Sequence, residues 1–175
     1  MRFTISTLIV QSIAVGLIGC SQQAELDMSV TPTSPPTRDQ LVGPEPLSLD
    51  GEVVVEHFLG KDHAAARALF AEAHYTADDF MWMAPPGIRY YLSPAIDYIE
   101  SDDSKGDWEF MSSLLMSLAH HAEESDLNAP TLKSFRRVAD YVDRHHSKFE
   151  VESDDLVHAY IATVRAAAKP VEPTE

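Results

Sequence analysis

Beyond residue 49 the apolar positions recur at three- and four-residue steps, the period of one helix face, and nothing alternates like a strand except the valine run Val53 to Val55. The first such segment carries Val54, Val55, Phe58 and Leu59 and stops at Gly60. Asp62 is placed to cap a second helix, His63 to about Ala73, with Ala66, Leu69, Phe70 and Ala73 on one stripe. Phe80 to Ala95 is the densest aromatic stretch. Its prolines predict two short helices, with Pro86 and Pro94 in first turns, Ser93 as an N-cap, and Ile96 and Ile99 facing inward. After Gly106, Asp107 to about Ser125 reads as the central core helix, its stripe running through Trp108, Met111, Leu115, Leu118 and Ala122 and widened by Leu114 and Ala119. Asn128 to Pro130 restarts the chain, and Leu132, Phe135, Val138, Ala139 and Val142 define a helix that frays near His145. Ser153 or Asp154 caps the last one, with Leu156, Val157, Tyr160, Ile161 and Val164 toward the core, and Pro170 and Pro173 end it. The pattern predicts an all-α fold, a single bundle of about five to six helices, after a disordered proline-rich tether.

The pattern is different before that domain. Residues 21 to 48 are polar and punctuated by Pro32, Pro35, Pro36, Pro44 and Pro46, with neither period, which reads as an extended spacer. A flexible chain of that length roams roughly 30 Å. Residues 1 to 19 carry Arg2 and then an apolar stretch from Phe3 to Ile18, too short and too polar for a comfortable spanning helix, with small Gly19 before the predicted cut. The expected organisation is a leader over 1–19, a lipidated cysteine and spacer over 20–48, a helical domain over 49–168 and a disordered tail over 169–175.

Leu17-Ile18-Gly19-Cys20 resembles the lipobox of bacterial lipoprotein precursors. The resemblance implies that the Cys20 sulfur takes diacylglycerol and that the new amino terminus is acylated. Buried acyl CH₂ groups each contribute about 0.8 kcal/mol, so several chains hold where one comes off. Ser21, where Asp would mark retention, resembles the pattern sent to the outer membrane in two-membrane bacteria. The expected location is therefore the cell envelope, lipid-anchored, facing the periplasm in such a host.

Charge narrows the partners. Thirteen Lys and Arg against 28 Asp and Glu leave a formal charge of −15, which is expected to repel nucleic acid and anionic lipid headgroups. The single cysteine, Cys20, excludes an internal disulfide and any paired thiol ligand.

Gly87-Ile88-Arg89-Tyr90-Tyr91-Leu92, followed by Ser93-Pro94-Ala95, is similar to a Gly-Phe-Arg-Tyr-Tyr-Leu-Pro-Ala-like segment of a group of small uncharacterised bacterial helical domains. Ser93 is an extra residue relative to that pattern and shifts the register of the helix after it. The resemblance implies an all-helical fold and carries no activity.

Among the eight histidines, His120-His121 with Glu123 and Glu124, and His145-His146, are the candidate ligand clusters. Adjacent side chains diverge by about 100° on a helix, so each pair offers one ligand to a given site, and helix-end placement explains them without a metal. Arg89, Tyr90, Tyr91 and Trp82 form the candidate ligand or partner patch: a guanidinium for a carboxylate and rings for stacking. Core packing is the competing account of the same residues. No Gly-x-Ser-x-Gly elbow or glycine-rich phosphate loop occurs, and neither a cofactor nor a metal is expected. The expectation is a non-catalytic protein-binding or scaffolding module for an envelope protein, using a groove near Tyr90 and Tyr91 or the exposed face of the Asp107 helix. The alternative is a metal-assisted hydrolase built on the histidines.

Overall fold

The computed structural model describes residues 33–44, 47–124, 127–150 and 154–168, and among these the chain is all-α with no strand. Its α-helices are α1 (Arg38–Val42), α2 (Leu49–Phe58), α3 (His63–Glu72), α4 (Pro85–Glu100), α5 (Trp108–Glu124), α6 (Ala129–Arg144) and α7 (Asp154–Ala167), with 3-10 segments at His74–Trp82, Asp102–Ser104 and His146–Lys148. Most of the starts follow from local chemistry. Asp62 accepts from Ala65 N at 2.8 Å, and Asn128 accepts from Thr131 N at 2.9 Å, each satisfying an amide that has no partner inside its helix. No helix among the described residues is long and apolar enough to cross a membrane.

The core is aromatic at one end. Phe70 on α3 meets Phe58, Phe80, Tyr98 and Phe110, its ring centroid 5.1 Å from that of Phe110. Leu114, Leu115 and Leu118 of α5 continue it toward Phe135, Val138 and Val142 of α6 and Val157, Ile161 and Val164 of α7, all buried.

Three features depart from the periodicity. A capped helix, α1, lies inside the segment read as spacer: Thr37 and Gln40 exchange side-chain bonds with each other's backbone, and Leu41 is fully buried. The Ala84 amide donates to Leu41 O at 2.8 Å, and α1 lies so near α4 that a Cβ on Gly87 would sit 2.8 Å from that same carbonyl. The expected break at Ser93 is absent, since α4 runs unbroken through Pro94. Proline there removes the bond to Tyr90 O and costs about 3 kcal/mol. Burial of Tyr91, Leu92, Ala95, Ile96, Tyr98 and Ile99 on the same helix outweighs it. Trp108 and Leu156, both in phase with core stripes, are instead 40% and 57% exposed. Each stands in the first turn of its helix.

Candidate functional site

Trp108 and Leu156 border one groove. Trp108, Ser112, Ser113 and Met116 of α5 form one wall, and Leu156, Val157 and Tyr160 of α7 the other, around about 160 Å³. The two serines are small enough to let an occupant approach the α5 backbone, and the walls are otherwise apolar or aromatic.

Trp108 also borders a polar recess of about 240 Å³ that holds His74, Asp103, Lys105, Asp107 and Glu109. Asp107 is its buried hub. One carboxylate oxygen accepts from His74 Nδ1 and from the Tyr98 hydroxyl, both at 2.6 Å, and the other accepts from Phe110 N at 3.1 Å, capping α5. Burial, and then the hydrogen bond to Asp107, push the Tyr98 phenol well above its ordinary range, so it remains a donor. The arrangement fixes the imidazole tautomer as a general base requires. No serine, threonine or cysteine lines the recess.

The same 3-10 segment, His74–Trp82, is fastened at three further points. His57 Nδ1 donates to Asp79 at 2.6 Å, His121 Nε2 donates to Phe80 O at 2.7 Å, and Ser117 Oγ donates to Ala77 O at 3.4 Å. Burial holds the Asp79 carboxyl above its ordinary value, and the His57 hydrogen bond offsets only part of that. A raised native value means the folded state binds the proton more tightly than the unfolded chain. Its contribution to stability is therefore present in acid and is lost as pH rises through that raised value. Replacing Asp79 by Asn, which keeps a polar partner for His57, is expected to gain on the wild type as pH rises from about 4 to 7. Urea midpoints for both proteins across that range check it; a constant offset contradicts it.

The sequence-derived patch divides. Tyr90 and Tyr91 are 3% and 0% exposed, their rings edge to face at 4.9 Å, and the Tyr91 hydroxyl is shared between the carbonyls of Phe58 and Lys61. Both are core. Arg89 is half-buried beside them, and Trp82 stands apart at 48% exposure on the 3-10 segment. The rings of His120 and His121 meet edge to face at 5.4 Å, against the divergence expected of neighbours on a helix. His121 turns inward to Phe80 O, His145 lies on the Tyr141 ring at 4.3 Å, and His146 stacks on His158 at 5.9 Å. Among the described residues no three His, Cys, Asp or Glu side chains are grouped to hold a metal ion. Cys20 and the leader lie outside the described residues. Neither His74 with Asp107 nor His57 with Asp79 carries a local signal, being separated by 33 and 22 positions.

No family model matches the chain, and no curated protein or solved structure matches it.

Proposed function

We propose that this chain is an exported lipoprotein, anchored through Cys20 in the cell envelope and facing the periplasm from the outer membrane in a two-membrane host. Its helical domain is a non-catalytic binding module that holds a segment of an envelope protein in the groove between α5 and α7. The observation that carries the binding reading is the pairing of Trp108 with Leu156: two large apolar side chains, in phase with the core yet exposed, sharing one groove. Tryptophan in such a setting is the residue type that anchors interfaces. The groove's volume suits one or two apolar side chains of a partner, and the charge of −15 selects a segment with basic flanks. Lipid anchorage supplies the rest, because a module confined near a membrane meets its partner at raised effective concentration.

The alternative, a metal-assisted hydrolase, requires ligands that converge, whereas His57, His74 and His121 are each engaged in fastening the 3-10 segment. A photocrosslinking residue at Ser113, in the full chain in its host, tests the binding reading. One reproducible adduct is expected from Ser113 and none from exposed Ala64 on α3, and Trp108→Ala should reduce the adduct about tenfold or more. Identical backgrounds from both positions contradict it.

A further inference from the structure

On the other side of Lys105 lies a third recess, of about 340 Å³, lined by Asp102, Lys105, Arg144, His145, Ser147 and Lys148. We propose that it is a binding site for a phosphomonoester, free or carried on a lipid headgroup.

Several arginines elsewhere on this acidic chain are matched by carboxylates: Arg67 with Asp103 at 2.6 Å, Arg137 with Glu100 at 2.6 Å, and Arg165 with Asp140 and Asp143 at 2.7 and 2.8 Å. The cations of this recess are held by neutral groups. Lys148 Nζ donates to Ile99 O at 2.8 Å, Ser101 O at 2.6 Å and the Tyr141 hydroxyl at 3.1 Å. Arg144 Nε donates to Asp140 O at 2.9 Å, leaving the rest of its guanidinium fork for another acceptor. Lys105, exposed, forms no ion pair among the described residues. Bonds to carbonyls fix position without cancelling charge.

The backbone around them is equally constrained. Gly106 N donates to Lys148 O at 2.9 Å, joining the two loops that carry Lys105 and Lys148, and Gly106 has φ of +79°, which a side chain would disfavour. Lys148 N donates to His145 O at 2.9 Å, and the His145 ring rests on Tyr141.

Helix-end electrostatics explains part of this. Lys148 caps the C-terminus of α4, and Arg144 sits in the last turn of α6, where cations are favoured. Neither placement requires Lys105 to line the same recess. Three permanent cations and an imidazole face one carboxylate, Asp102, while Asp103 is neutralised by Arg67 and Glu150, beside Gly106, does not line the recess. Carboxylates on distant faces are screened beyond about 8 Å at physiological ionic strength, so the local field governs a small anion.

Phosphate suits these donors better than a carboxylate does. An arginine fork, the Lys105 ammonium and the Ser147 hydroxyl can donate into a space larger than one planar anion fills, while Lys148, whose three N–H groups are taken, adds charge alone, and a dianion matches the local charge. Asp102 is then placed to accept from hydroxyls of the esterified group.

The test titrates the purified full chain in detergent, by calorimetry, with inorganic phosphate, glycerol 3-phosphate and dihexanoyl phosphatidic acid. Saturable binding at one site per chain is expected. Lys105→Ala and Arg144→Ala should each weaken it about tenfold, the loss of one charge-assisted contact, while Lys133→Ala at the far end of α6 should not. Both altered residues are exposed, so unchanged thermal midpoints are expected to accompany the loss. In the unaltered chain, raising the salt should weaken binding. Tighter binding of the lipid than of glycerol 3-phosphate identifies a headgroup as the source; equal affinities identify a soluble phosphoester. No saturable binding by any probe, or binding that the two variants leave unchanged, overturns the site.

Discussion

Replacing Asp107 by alanine is expected to destabilise the fold by about 1.5–5 kcal/mol, the sum of a lost N-cap and an orphaned buried hydroxyl. Asp107 accepts three bonds from three elements: His74 at the start of the 3-10 segment, Tyr98 near the end of α4, and the Phe110 amide in the first turn of α5. Alanine leaves the Tyr98 phenol, a fully buried residue, without that acceptor, and it leaves the first turn of the central helix uncapped. Tyr98→Phe removes one bond and leaves the cap intact, so it should cost only about 1 kcal/mol. Urea denaturation of the two variants separates these values. A loss below about 1 kcal/mol for the alanine variant contradicts the hub.

A chain beginning at residue 49 is expected to lose about 3–5 kcal/mol relative to one beginning at residue 33, because α1 is part of the domain. The missing burial of Leu41 alone is of the Leu-to-Ala order, and its removal also uncovers the face of α4 at Gly87. Gly87→Ala tests the same contact at full length. A methyl there, 2.8 Å from Leu41 O, forces α1 away and should reproduce much of the loss. Equal thermal stability for the two truncated chains contradicts this placement of the domain boundary.

How far these features were legible in the sequence depended on how local they are. The cap at Asp62 and the extent of α5 were legible, because a carboxylate acceptor just before an apolar stripe has one local explanation. The continuity of α4 through Pro94 was not, since proline's cost is local and the burial that outweighs it is distributed along the helix. Five residues with one buried apolar side chain gave α1 no period to detect. The apolar character of Trp108 and Leu156 was readable, but periodicity reports which face a residue occupies and not whether a neighbour covers it. Pairings such as His74 with Asp107 depend on tertiary proximity alone.

Work outside the cytoplasm on a lipid anchor is the central claim for this domain, and intact-mass spectrometry of the native protein tests it most directly. The predicted result is a chain that starts at Cys20 and carries the added mass of diacylglycerol and an amide-linked acyl group, lost from the membrane fraction in Cys20→Ser. An unmodified chain starting at Met1 and recovered from the cytosol would contradict it.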